Sequence, residues 1–118
     1  MHPLDTLDRV LQERIRQLPE NSYVSALVNQ GQDAILQKVG EETTEFILAA
    51  KNARNLRTPP NHARSDADLP TDQGSAEAEQ AVVHELTDLL FHCMVALADL
   101  DISFDQIIEE IERRNVSR

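Results

Sequence analysis

HELTDLLFHCMVALADL, residues 84–100, decides the fold of this chain. Between Leu89 and Ala98 its only polar side chain is His92, so a helix here is apolar nearly all round and belongs at the centre of a bundle. Its first turns nevertheless carry Glu85, Asp88 and His92. At about 100° per residue these three fall within an arc of roughly 60°, one polar stripe entering an otherwise dry element. Carboxylates buried together raise each other's pKa, so something cationic is expected opposite them.

Working outward, the totals suit that helix. The 118 residues fit a single domain. Hydrophobic residues make up 41%, aromatics 3%, and Gly occurs 3 times, a balance that favours an all-α protein packed with aliphatics. The formal net charge of -10 repels a nucleic-acid backbone, so no nucleic-acid partner is expected and a phosphate ligand needs a local cation. Cys93 is the one cysteine, which excludes an internal disulfide and agrees with a reducing compartment. No leader pattern and no run near the roughly 20 apolar residues of a membrane span is seen, so a soluble, cytoplasmic protein without a membrane partner is expected.

In chain order, Leu4, Leu7, Val10, Leu11, Ile15 and Leu18 make one helical face, with Asp5 and Asp8 in its first turns and Pro19 as its stop. Residues 20–31 offer Asn21 or Ser22 as cap for a short turn of helix that Gly31 ends. A long helix follows from about Gln32 to Asn55, with Ala34, Ile35, Val39, Phe46, Ile47, Ala50 and Ala53 as its apolar stripe and Lys38, Glu42 and Glu45 along the edge. Residues 56–80 lose the pattern and contain Pro59, Pro60 and Pro70, reading as a flexible insertion. The central helix then starts between Ser75 and Ala81. In the last helix Ser103 and Gln106 match a capping box, and Phe104, Ile107, Ile108 and Ile111 form the stripe expected to be buried. The expected architecture is an antiparallel bundle of four main helices.

Acidic pairs three apart occur at Asp5/Asp8, Glu42/Glu45, Glu85/Asp88 and Glu109/Glu112, as often as so acidic a chain produces by chance. Surroundings separate them. The first and last pairs lie on solvated faces, whereas Glu42/Glu45 and Glu85/Asp88 border or enter the two most apolar helices. Oxygen ligands on rigid helices, without a cysteine pair or Glu-x-x-His motifs, suit Mg²⁺ or Mn²⁺ and metal-dependent phosphate chemistry. Lys38, one turn before Glu42, is a candidate phosphate contact or an ion-pair partner of Glu41, Glu42 or Glu45. His92 is a candidate ligand contact or a satisfied core histidine, and Tyr23 a weaker binding candidate. A non-catalytic helical interaction domain is the rival from another class.

With KVGEETTEFILAAK at residues 38–51 and ELTDLLFHCMVAL at residues 85–97, the chain resembles the phosphoribosyl-ATP pyrophosphohydrolase family, within the all-α group that includes MazG-like enzymes. The Glu-x-x-Glu and Glu-x-x-Asp pair marks the wider group, and Lys-Val-Gly-Glu-Glu with Asp-Leu-x-x-His the narrower one. Thr43 and Phe91 depart from the usual residues, and the insertion is long. The resemblance implies Mg²⁺-dependent hydrolysis of phosphoribosyl-ATP to phosphoribosyl-AMP and pyrophosphate in histidine biosynthesis. It implies Glu42, Glu45, Glu85 and Asp88 as metal ligands, Glu41, Glu42 or Glu45 as catalytic carboxylates, and Lys38, His92 and Tyr23 at the substrate. A homodimer is implied too, with Leu48 left over for the contact. The closest rival is a house-cleaning enzyme of the same group that acts on ordinary nucleoside triphosphates.

Overall fold

The computed structural model describes residues 2–57 and 72–117, and among these it is all-α, with no strand. Five helices stand where four main ones were expected: α1 (Pro3–Gln17), α2 (Tyr23–Gln30), α3 (Gln32–Arg57), α4 (Asp72–Asp99) and α5 (Phe104–Ser117). The element beyond those four is α2, expected as a short turn of helix ended by Gly31 and found as two turns. Ser22 caps it, its Oγ accepting from the Ser25 amide at 3.3 Å, and Gly31 ends it at φ 105°, a conformation that costs glycine little. His2 caps α1 through Nδ1, which accepts from the Leu4 amide at 3.1 Å. Leu18, left-handed at φ 48°, closes that helix just before Pro19.

Helix α3 runs through Gly40 without a break. Helix α4 begins earlier than the apolar pattern implied, so residues 56–57 and 72–80 of the expected insertion are helical, and the rest of it, residues 58–71, lies outside the described residues. Residues 76–81, AEAEQA, consist of strong helix formers, and propensity carries the helix where large apolar side chains are missing. At its other end α4 stops without glycine. Ile102 N–H reaches Leu97 O at 2.9 Å and Asp101 N–H reaches Ala98 O at 3.0 Å, a Schellman closure with Asp101 left-handed at φ 60°.

The described chain divides into two compact units, Met1–Lys38 with Phe91–Arg118, and Val39–Leu90. In the first, α1 packs on α2 and α5, and Leu11, Val24, Leu27, Ile35, Met94, Val95, Ala98 and Phe104 form the core. Burying each of the larger ones is worth roughly 1.5–3 kcal/mol. The stripe expected on α5 is only partly covered: Phe104 is buried, but Ile108 and Ile111 are exposed, as α5 turns only its first turn inward. The second unit is a hairpin made by the C-terminal part of α3 and the N-terminal part of α4. Glu42 and Glu45 lie by Glu85, while Ala50, Ala53 and Arg54 face Glu79, Val82 and Val83, so the two helices of the hairpin run antiparallel. Its one buried apolar residue among those described is Ala78, and Ile47, counted in the expected stripe, is exposed because two helices alone cannot cover a stripe on either.

Against expectation, Gly74–Asp99 is long and apolar enough to cross a bilayer by length and composition. Core helices of soluble proteins pass the same test. Glu85 and Asp88 sit at the middle of this one, where an Asp costs about 3 kcal/mol in a membrane.

Candidate active site

Within the hairpin unit, two turns of α3 and one of α4 bring three carboxylates together. One oxygen each from Glu42, Glu45 and Glu85 lies within 4.8 Å of the others. Glu42 is buried, Glu85 half-buried and Glu45 exposed, so the cluster grades from dry to wet. The helices place them there by spacing: Glu42 and Glu45 are neighbours at i,i+3, and the antiparallel pairing sets Glu85 across from them. What was expected opposite the α4 stripe was a cation. What stands there is Glu45, a further acid.

Loss of solvent holds the Glu85 carboxyl above its ordinary value of 4.5, and three neighbours act on it besides. A hydrogen bond that the protonated Glu85 carboxyl donates to Glu45, and the charges of Glu45 and Asp88, push the same way, while His84 pulls against them. Glu85 Oε2 is buried with no hydrogen-bond partner. Asp88, one turn along from Glu85, accepts an ion pair from His84 Nε2 at 3.3 Å.

These features fit a hard divalent cation. An octahedral ion held at about 2.1 Å sets its ligand oxygens roughly 3–4 Å apart, within small side-chain adjustments of the spacing present. A cation there would also remove the mutual repulsion that raises the Glu85 pKa and would give its buried oxygen a partner. Glu41, next to Glu42 on α3, is exposed.

The three candidate binding residues gather in the other unit. The Tyr23 hydroxyl and His92 Nε2 are 2.8 Å apart, and His92 is buried while Tyr23 is 51% exposed. Phe91 meets the His92 ring edge-on at 5.3 Å and the Tyr23 ring at 6.4 Å. Tyr23 and Lys38 line one pocket of about 220 Å³ together with Leu27, Gln30, Ala34 and Gln37. Both departures from the family pattern are absorbed locally. Thr43 Oγ1 donates to Val39 O at 2.7 Å within its own helix, and Phe91 fills the aromatic corner beside Tyr23.

Sequence reasoning passed over His84, although its i,i+4 spacing to Asp88 was the signal for that ion pair. It also passed over Gln30 and Gln37, whose meeting across α2 and α3 no local pattern announces. Near the end of α5, Arg113 and Arg114 both bind Glu110 and hold its carboxyl below the usual range.

Comparison with known proteins agrees with this geometry. Residues 4–115 match the family described as Phosphoribosyl-ATP pyrophosphohydrolase. The chain is 46% identical over 96 residues to proteins named phosphoribosyl-ATP pyrophosphatase from Burkholderia mallei (strain SAVP1) and Burkholderia pseudomallei (strain 668), a match that takes in 81% of this chain and 62% of each relative. The match thus spans a little under two thirds of those relatives' length. With the match running from the first helix to the last and the carboxylates of α3 and α4 converging, the chain belongs to the phosphoribosyl-ATP pyrophosphohydrolase family.

Proposed function

We propose that this protein hydrolyses phosphoribosyl-ATP between its α and β phosphorus atoms, giving phosphoribosyl-AMP and pyrophosphate, the second step of histidine biosynthesis. Family membership supports the substrate. The observation that carries the chemistry is the convergence of three carboxylates from two helices within 4.8 Å. Glu42, Glu45, Glu85 and Asp88 are the ligands of Mg²⁺, with Mn²⁺ as a substitute, because an all-oxygen set on rigid helices suits a hard cation. When bound, the ion supplies the positive charge that lets an acidic protein approach a polyphosphate.

The remaining work falls to this chain's own groups. A carboxylate general base takes a proton from the attacking water, and of the candidates Glu41, Glu42 and Glu45, Glu41 and Glu45 are the two exposed ones. Glu42 is the buried anchor of the set. His84 orients Asp88 through their ion pair, Lys38 neutralises charge on the phosphates, and Tyr23 and His92 act at the substrate. Residues 1–118 act as a single all-α domain in the cytoplasm. The assembly is a homodimer, supported by the hairpin unit, where Ile47, Leu48, Val83 and Leu86 are each 48–64% exposed.

The test is pyrophosphate release with phosphoribosyl-ATP beside ATP, dCTP and dUTP, each with Mg²⁺ and with chelator. Turnover confined to phosphoribosyl-ATP and dependent on Mg²⁺ is expected, and Asp88→Asn is expected to abolish it with helicity retained. Comparable turnover of a plain triphosphate would replace this reading with house-cleaning hydrolysis. No turnover of any of them would point to a non-catalytic interaction domain. Glu41→Gln and Glu45→Gln, compared in the same assay, separate the two candidates for the base.

A further inference from the structure

We infer that the pocket between α2 and α3 is an adenine-binding subsite, in which Tyr23 is the stacking platform and His92 is the positioning residue that fixes it. The inference rests on the proposed reaction only for its choice of base. Four observations carry it.

First, Tyr23 is an unusual surface tyrosine. The residue is half exposed, yet its hydroxyl is held at 2.8 Å by a buried histidine whose ring meets the tyrosine ring edge-on, and Phe91 lies 6.4 Å away at a tilt of 31°. A ring pinned in this way offers a flat face to a ligand without the entropy cost of immobilising it at binding. Second, the pocket floor is apolar at Leu27 and Ala34, as a stacked ring requires. Third, Gln30 and Gln37 line the rim. A side-chain amide presents one donor and one acceptor and so matches the N6 and N7 edge of adenine, whereas guanine presents two acceptors there. Fourth, Lys38 lines the same pocket and supplies a cation beside it for a phosphate attached to the base through ribose. At about 220 Å³ the space falls below the roughly 300–1,000 Å³ of pockets that enclose a whole ligand. It holds one ring system and leaves the sugar and phosphates outside.

This assigns His92 a different task from contacting the ligand itself. Its Nε2 is committed to the tyrosine hydroxyl, so His92 acts through Tyr23.

The chain offers its own reporter, since it contains 1 Tyr and no Trp, and ultraviolet emission therefore comes from Tyr23. AMP, GMP and ribose 5-phosphate are titrated into the 118-residue chain, with free tyrosine amide as the control for light absorbed by the bases. AMP is expected to change the emission at concentrations where ribose 5-phosphate does not, with GMP weaker. By calorimetry, Tyr23→Leu is expected to bind AMP about tenfold more weakly, in line with the loss of one base stack. Gln37→Ala is expected to erase most of the preference for AMP over GMP. His92→Gln, which keeps a hydrogen-bonding group, should retain AMP binding that His92→Leu loses. In turnover, Tyr23→Leu should raise KM for phosphoribosyl-ATP about tenfold while kcat changes little. Circular dichroism checks folding, and if Tyr23→Leu or His92→Leu does not fold, the exposed Gln37→Ala carries the test.

An equal response to ribose 5-phosphate and AMP, or Tyr23→Leu binding AMP within twofold of the unsubstituted chain, would overturn the subsite and leave the reaction standing. AMP capture at Tyr23 without turnover of phosphoribosyl-ATP would do the reverse.

Discussion

Replacing Tyr23 with Phe removes one oxygen and little else, because the ring that packs on Phe91 is kept. The lost partner belongs to His92, which is only 6% exposed and whose Nε2 lies 2.8 Å from the hydroxyl. Stranding a buried polar group costs about 1–3 kcal/mol. Tyr23 itself is 51% exposed, so water can approach from its side and the lower end, about 1 kcal/mol, applies. A chain of 118 residues unfolds with an entropy of about 0.25 kcal/mol per kelvin, so the melting temperature should fall by about 4 °C. Calorimetric melts at one buffered pH, for the unsubstituted chain, Tyr23→Phe, His92→Phe and the double variant, isolate the coupling between the two side chains. A melting temperature for Tyr23→Phe within 1 °C of the parent, or purely additive single and double variants, would refute the account of Tyr23 as a pinned ring.

Three further outcomes are expected. The Glu85 carboxyl has a raised pKa in the folded state, so its contribution to stability is full below its ordinary value of 4.5 and is lost as pH rises through the higher folded value. In chelator, melting temperature should therefore decline from pH 4.5 upward more steeply for the parent than for Glu85→Gln, and millimolar Mg²⁺ should reverse the decline for the parent alone. Ile35→Ala, at a position with no exposed surface, should cost about 2–5 kcal/mol by urea unfolding with the slope unchanged. Gly31→Ala meets no atom within 4 Å, so its cost is purely conformational, about 1–3 kcal/mol at φ 105°, and a similar loss on Gly40→Ala would contradict that cause.

Much of this was legible in the chain because two kinds of signal coincide. Apolar spacing with Pro19 and Gly31 as stops located α1, α2 and α3 nearly to the residue. The acidic pairs of α3 and α4 stood out from equally spaced pairs by their apolar surroundings, and Glu42, Glu45 and Glu85 do converge. What was missed has physical reasons. Residues 72–80 are helical through backbone propensity, which leaves no hydrophobic period to read. A stripe such as Ile107, Ile108 and Ile111 shows that one face is apolar, but not whether this chain's own mass covers it. Opposite Glu85 the chain sets Glu45, and a sequence reveals a charge needing compensation before it reveals whether the compensation is protein. Tyr23 and His92 lie 69 positions apart, and only the folded chain reveals their bond.

The hairpin from Val39 to Leu90 joins exposed Ile47, Leu48, Val83 and Leu86 to a chain carrying a net charge of -10. Two such molecules repel at long range and attract once their aliphatic surfaces touch. Dissolved electrolyte shortens only the first force, its reach shrinking from about 30 Å at 0.01 M to about 8 Å at 0.15 M. If the proposed dimer forms through these side chains, its assembly is tied to ionic strength: dilute buffer should hold the molecules apart, and physiological salt should let the aliphatic contact prevail.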